Sequence, residues 1–443
     1  MSESELEESY EAEEVLARVA AIDIAKASGM VCLRVPGKSA GRRTQQVWNV
    51  TATSNEILAL ADRLVAAGVQ RVVMEATGVY WKPFFYLLES QGLQCWLVNA
   101  RDVKNVPGRA KTDKLDAVWL CKLNERGMLR PSFVPPKPVR QLRDLTRART
   151  VFTQDRTRVR QRANALLEDT QIKISSYISE LFGMTGQRIM QALAAGEHDP
   201  YRLADLADAR IKAPRRDLVE ALTGHFEDHH GFLLRIHLET DAHLSAEIAA
   251  LTAQIDTVLT NTEDPRDDHG AGTHLRTLTE RLDEIPGIGP ETAQILLAEL
   301  GWDMSVFPTA DHLASWAKLT PRTIQSGGKQ GAGPTGKGNP WLKGALGEAA
   351  SAASRTKNSF FSARYKRLVK RRGHNKALVA VARSLLIVIW HLINDPDARY
   401  SELGADWHEH HIDPERKTLR LVRELRALGH DVALTPLTPP QAA

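Results

Sequence analysis

Residues 17–36 read ARVAAIDIAKASGMVCLRVP, two apolar strands with the turn between them expected at Ser28-Gly29. Working outward, Gln46 to Thr51 supplies a third strand, and Ser54 opens an apolar-periodic helix that ends near Gly68. Val69 to Glu75 (VQRVVME) has the continuous apolar character of a buried strand. A helix over Tyr80–Ser90, a strand over Leu93–Val98 and a helix over Asp113–Arg126 follow.

The order β-β-β-α-β-α-β-α predicts an α/β domain with a mixed sheet, the element order of an RNase H-like fold. Four carboxylates stand out within it. Asp23 lies inside the first apolar strand, in Ala21-Ile-Asp-Ile-Ala25, and Glu75 ends the fourth. Asp113 and Asp116, three apart in KTDKLD, share one face of a helix start. A charge in an apolar strand is costly unless it is paired or binds a metal. Singly, each residue also fits a turn or cap. As a set they make an oxygen-rich site suited to hard Mg²⁺, with a two-metal arrangement able to stabilise both oxygens of a phosphodiester exchange.

Beyond this domain, Pro131-Ser-Phe-Val-Pro-Pro-Lys-Pro138 is an extended connection. Leu145, Phe152, Val159 and Leu166 then recur every seven residues on an Arg-rich helix. A second helical stretch, Leu244–Leu282, is broken around Asn261–Gly272, and the two predict an antiparallel coiled-coil arm. Residues 170–240 between them are helical and irregular, without an assigned role. A mostly α region opens with Ile285-Pro-Gly-Ile-Gly-Pro-Glu-Thr-Ala293, the pattern of a helix-hairpin-helix. There Gly287 and Gly289 permit a tight turn, and the following helix start can hold a phosphate; a purely structural hairpin fits as well. Ser326 sits in TIQSGGKQGAGPTGKG, where backbone can approach phosphate and Lys329 and Lys337 can neutralise it. Ser326 is therefore a candidate nucleophile toward phosphorus, needing a base or metal to activate it. The same composition also fits a flexible connection, and no Walker A pattern is present. The apolar run Ala377–Ile393 is interrupted by Arg383 and His391 and reads as a buried core helix. His229-His230 and His408-Glu-His-His411 lack metal-ligand spacing and read as solvated or packed. The expected divisions are an acidic disordered tail (1–16), the carboxylate domain (17–130), the basic helical arm with its insertion (131–281), the serine-bearing domain (282–395) and a tail (396–443).

The 443 residues carry a net charge of only +4, but unevenly. Between Lys137 and Arg162 lie Arg140, Arg143, Arg147, Arg149, Arg156, Arg158 and Arg160, against Asp144 and Asp155 alone. A second cluster holds Arg364, Lys366, Arg367, Lys370, Arg371, Arg372 and Lys376. Such patches suit nucleic acid, and equally a solvated helix face; Arg140, Arg143, Arg147, Arg156 and Arg160 are the candidate phosphate contacts. Cys32, Cys95 and Cys121 are far apart, which excludes a disulfide scaffold and fits a reducing cytosol. The acidic N-terminus is not a signal peptide, and no membrane role is expected.

Together, AIDIAK with Asp23, MEATGVYW with Glu75, RAKTDKLDA with Asp113 and Asp116, and the series IPGIG, LTPR, QSGGK and KGNPWLKGAL resemble the DEDD insertion-sequence transposases, also described as bridge-RNA-guided recombinases. The resemblance spans residues 18–127 and 282–394 in the family's order. It implies a RuvC-like domain whose Asp23, Glu75, Asp113 and Asp116 bind Mg²⁺. It also implies that Ser326 attacks DNA to form a transient phosphoserine link. It further implies a noncoding guide RNA from the element's ends, a DNA substrate, and a homo-oligomer, dimer or tetramer, in which the two domains meet across protomers. The rival expectation is a RuvC-like hydrolytic nuclease in which Ser326 is dispensable. An actin-like ATPase is disfavoured because Ile24-Ala25-Lys26 follows Asp23 where such enzymes place glycine. A non-enzymatic nucleic-acid binder is disfavoured because four carboxylates repel phosphate unless a metal intervenes.

Overall fold

The computed structural model describes residues 16–39, 42–76, 78–99, 112–262, 275–326, 329–411 and 414–435. The expected acidic tail lies outside them, apart from its last residue. The chain divides between Val134 and Pro135 into two compact units.

In the N-terminal unit, strands β1 (Val19–Ile24), β2 (Ser28–Pro36), β3 (Arg43–Thr51), β4 (Arg71–Glu75) and β5 (Cys95–Val98) form one sheet in the order β3-β2-β1-β4-β5. The first three pair antiparallel, while β4 joins β1 and β5 joins β4 in parallel, giving the expected mixed sheet. Its two faces follow from the alternation of side chains along a strand. Ala20, Ile22 and Ile24 of β1 meet Val72 and Met74 of β4 on one face. Helices α1 (Ser54–Ala66) and α2 (Trp81–Ser90) cover that face through Ile57, Leu60, Leu64, Phe84 and Leu88. Val19, Ala21 and Val73 face the other side, under Ala117, Leu120 and Cys121 of α3 (Asp113–Glu125).

The first hairpin turns at residues 25–27 rather than at Ser28-Gly29. Gly29 is instead a strand residue opposite Ile24, where a Cβ would sit 2.8 Å from Ile22 Cγ2 and 3.0 Å from Phe84. The glycine serves close packing, not chain reversal.

The second unit begins with α4 (Lys137–Asp169), entered from an extended stretch over residues 131–136 with a proline in its first turn. Its partner α8 (Asp228–Asn261) starts sixteen residues before the expected Leu244. The two run antiparallel: Arg149 reaches Thr252, Arg156 reaches Ser245 and Arg160 reaches Asp241, so one series ascends as the other descends. The buried seam of α4 includes Val139, Leu142, Thr146, Arg149, Val159, Ala163 and Leu167. Of the expected heptad residues only Val159 is fully buried; Thr146 and Arg149 occupy seam positions that an apolar count passes over. Residues between the two arms build a satellite core at the arm's end from α5 (Met184–Ala194), α6 (Pro200–Ala204) and α7 (Arg215–Leu222), with Ile174, Ile189, Leu218 and Leu234 inside.

The remainder comprises α9 (Leu275–Asp283), α10 (Pro290–Leu300), α11 (Ala310–Trp316), a hairpin of β6 (Thr323–Ser326) and β7 (Lys329–Ala332), α12 (Pro340–Arg355), α13 (Phe360–Arg372), α14 (His374–Asn394), α15 (Trp407–His410) and α16 (Pro414–Ala427). The apolar run is helix α14, whose Val381, Leu385, Ile389 and Ile393 are buried. Buried Arg281 of α9 donates to the carbonyls of Leu392, Asp395 and Ala398, closing the end of α14 where backbone acceptors lack intrahelical partners.

Candidate active site

Asp23 and Glu75 occupy matching places in the sheet. The parallel register pairs Ile22 with Met74, so the next residue on each strand is Asp23 and Glu75. Adjacent strands lie about 5 Å apart, and residues at one register step share a face. That face carries Ala21 and Val73 and is covered by α3. Both carboxylates sit at its open end and are only partly buried, in contrast to the fully buried residues preceding them.

Helix α3 is held by its far end. Glu125 O accepts from Leu16 N, the Glu125 side chain pairs with Arg34 at 2.7 Å, and Cys121 Sγ lies 3.4 Å from Cys32 O. Asn124 Nδ2 donates to Ala20 O and Arg71 O, each at 3.3 Å, stitching the helix to β1 and β4. The helix thus runs antiparallel to β1, and its first turn comes to the C-terminal ends of β1 and β4. Thr112 caps that turn, its hydroxyl accepting from Leu115 N, and fixes where Asp113 and Asp116 fall. Asp116 is half-buried; the Asp113 side chain lies outside the described residues. Asp23, Glu75 and Asp116 are therefore brought to one corner of the unit, with Asp113 beginning the same helix.

The serine loop is a paired hairpin in which Ser326 opposes Lys329 in register. The side chains of both, and Gly327-Gly328 between them, lie outside the described residues. Its base is closed by Gly333 N donating to Arg322 O at 2.6 Å. The strap returning from it is anchored twice: Lys343 Nζ donates to Gly336 O at 3.0 Å, and Asn339 caps α12 by accepting from Trp341 N and Leu342 N. Lys337 is exposed on this strap.

Asn339 also donates to Glu299 Oε2 at 2.6 Å, and Glu299 is fully buried. Arg147 grips the same carboxylate with both forks, at 2.7 and 2.9 Å, and Arg143 lies 3.3 Å from it while donating to the Glu299 carbonyl. Sequence reasoning did not single out Glu299; its one signal is a lone carboxylate inside the apolar run Ile295-Leu-Leu-Ala-Glu-Leu300.

The arginines proposed for nucleic acid are thus largely engaged within the protein. Arg143 and Arg147 hold Glu299, Arg160 pairs with buried Asp241 at 2.6 Å, Arg156 reaches Ser245, and Arg140 donates to Pro135 O at 2.9 Å. Arg149 is buried against Gln294, at 2.7 Å, and burial lowers its pKa against the opposing pull of Glu291 and Asp256. Arg143, Arg147, Arg149, Arg156 and Arg160 fasten α4 to α8 and α10, a packing role the charge count alone does not distinguish from phosphate binding.

Gly287 and Gly289 likewise answer to packing more than to phosphate. Gly287 has φ +88°, and a Cβ there would lie 2.5 Å from Ala349 O and 2.6 Å from Ala353 N of α12. Gly289 caps α10, whose first turn already carries Glu291 at the positive helix end. The open cleft beside it, about 730 Å³, is lined among the described residues by the acids Asp256, Glu280 and Glu291 and by no lysine or arginine. Those three carboxylates would repel a phosphate. Gly287→Ala is expected to destabilise the second unit by about 3 kcal/mol, from the left-handed backbone and the overlap with α12 together. Chemical unfolding of the two proteins measures it, and an unchanged midpoint would show that the α10–α12 contact yields freely.

Comparison with known proteins gives a consistent picture. A DEDD-type IS110 transposase family model, described as "Transposase", matches residues 20–172, and the "Transposase IS116/IS110/IS902 family" model matches residues 279–366. A transposase for insertion sequence element IS1111A from Coxiella burnetii is 28% identical over 236 residues, 49% of this chain and 64% of that protein. An IS110 insertion-element protein from Streptomyces coelicolor is 34% identical over 129 residues, 29% of this chain and 32% of its own length. The chain thus spans less than two thirds of either relative. With the two family models matched in order over more than half of its residues, the chain belongs to the IS110 family of insertion-sequence transposases.

Proposed function

We propose that the protein is a DNA transposase that cleaves and exchanges strands at insertion-sequence ends by serine transesterification with a divalent metal, Mg²⁺. The observation that carries this reading is the convergence of Asp23, Glu75 and the start of α3 on one corner of a mixed sheet. The strand order β3-β2-β1-β4-β5 supports an RNase H-like, RuvC-like assignment for this unit. The donor set is carboxylate oxygen throughout, with neither thiolate nor imidazole among Asp23, Glu75, Asp113 and Asp116, which fits a hard divalent cation. Those four residues would hold it, and the ion, when bound, supplies charge stabilisation at the phosphodiester oxygens.

Ser326 is the proposed nucleophile. Its hydroxyl oxygen forms a bond to phosphorus as its proton passes to a base, and the displaced DNA oxygen leaves with a proton. Attack by a DNA hydroxyl on the phosphoserine then restores the serine and joins the strands, with no net hydrolysis. In support, Ser326 ends β6 of a hairpin whose returning strap is anchored through Gly336, Asn339 and Lys343. Lys329 and Lys337 are retained as candidate phosphate partners. For the α4 arginines the proposal is narrower: Arg140, Arg143, Arg147, Arg156 and Arg160 act first as structural ties, and phosphate contact is secondary. Guidance by an element-encoded noncoding RNA, and assembly of a homo-oligomer in which the two units of different protomers complete one site, follow from the family reading as proposals.

The test is a denaturing gel of the protein with Mg²⁺, labelled element-junction DNA and RNA transcribed from the element's ends. A slow-migrating protein–DNA adduct in the wild type, lost in Ser326→Ala, supports transesterification. Cleavage that persists in Ser326→Ala with no adduct in either protein sinks it and leaves a hydrolytic nuclease.

A further inference from the structure

The second basic cluster contains a feature that simple solvation does not explain. Helices α13 and α14 pack together, and neither holds a single aspartate or glutamate. Arg364 and Arg367 come from α13 and Arg383 from α14, while α15 lays His408 against Phe360 at 4.8 Å between ring centroids. Arg364 Nε, Arg383 Nε and His408 Nε2 are all buried from solvent without a hydrogen-bond partner. Among the described residues, Asp311 pairs with this group, at 2.7 Å from Arg383 Nη2, and it faces solvent with its side chain 75% exposed.

Buried polar atoms without partners are rare in folded proteins because each costs about 1–3 kcal/mol. Cations gathered in one place add repulsion. Burial lowers the pKa of Arg364, and Arg367 and Arg383 lower it further. His408 is pushed down to about 4 by burial, then by Arg367, Arg364 and His411. Each effect has the same sign, and an anion beside these cations would oppose it.

We propose that Arg364, Arg367, Arg383 and His408 form a binding site for one phosphate group, supplied by the backbone of a nucleic acid. The anion site stands on these side chains alone; its assignment to nucleic acid rests on the transposase reading. Backbone is favoured over free phosphate because exposed Lys366, Lys370, Arg371 and Arg372 continue the positive stripe along α13 beyond the site. Guanidinium forks match phosphate oxygens in pairs, which suits a fixed contact rather than diffuse attraction.

The test uses the full chain and needs no cleavage. Fluorescence anisotropy across a salt series, with duplex DNA and duplex RNA of arbitrary sequence as separate probes, compares wild type with Arg364→Gln and Arg383→Gln. Loss of one phosphate contact is expected to weaken binding to at least one probe by about tenfold and to flatten its salt slope by about 0.9. Without ligand, Arg364→Gln is expected to melt at or above the wild-type temperature, since it removes repulsion; mere loss of a structural tie would lower it. Should Arg364→Gln fail to fold, substitution of the exposed Arg367, Arg367→Gln, provides the same comparison. Unchanged affinity and slope for both probes overturns the nucleic-acid site. Stabilisation of the wild type but not of the variant by inorganic phosphate at constant ionic strength, with nucleic-acid binding unchanged, overturns the backbone assignment in favour of a free-phosphate site. Failure of the serine mechanism would appear in the adduct gel and leave these binding results untouched.

Discussion

Asp23→Asn is expected to reduce metal-dependent strand cleavage by roughly 10³-fold or more, while the protein keeps its fold. Asparagine has the shape of aspartate, and Asp23 sits at the edge of the core, only partly buried, so the sheet loses no packing. What changes is the charge at the corner shared with Glu75 and α3. A divalent ion bound by carboxylates stabilises developing charge by several kcal/mol, and each 1.36 kcal/mol is tenfold in rate. Two readouts separate this from misfolding. Mn²⁺ affinity, measured by electron paramagnetic resonance, should fall in Asp23→Asn and in Glu75→Gln, whereas thermal unfolding without metal should not move downward. Undiminished cleavage with undiminished Mn²⁺ binding would remove Asp23 from the metal site and with it the pairing of the two strands as its floor.

Glu299→Ala is expected to destabilise the second unit by about 3–5 kcal/mol, the usual effect of removing one partner of a buried ion pair. The carboxylate is fully buried and is held by Arg147, Arg143 and Asn339 together. Its loss would leave the part-buried guanidiniums of Arg147 and Arg143 without their shared carboxylate. The consequence extends to chemistry, because Asn339 is the cap on which the strap from the Ser326 hairpin enters α12. Denaturant unfolding of Glu299→Ala, Arg147→Met and the double variant forms a cycle. The double variant should be less destabilised than the sum of the two single changes, since the orphaned charge is removed with its partner. Strict additivity would mean that Arg147 and Glu299 do not act on each other, contrary to their two-pronged contact.

How far these residues were visible beforehand depends on their physical type. Asp23 and Glu75 stood out only as members of a set of four carboxylates, since singly each also fits a turn or cap, and the α/β order around them follows from hydrophobic periodicity. The first turn was misplaced by up to three residues because glycine serves close approach as readily as reversal, and only the Ile22 and Phe84 neighbours decide which. The arm was legible as two long helices, but not its seam. Thr146 and Arg149 are buried at positions an apolar template leaves out, and the satellite helices that lengthen α8 follow no repeat.

By itself the sequence determined the element order, the four carboxylates, the glycine-flanked serine and the uneven charge, because each is set by local spacing and side-chain chemistry. Only the tertiary structure decided what the charges do. Whether an arginine meets a carboxylate, a phosphate or nothing depends on partners a hundred or more residues away, as with Arg147 on Glu299, 152 residues along. The same distance hides the opposite case: Arg364 and Arg383 look no different in sequence from the α4 arginines, yet their Nε atoms are buried without a partner.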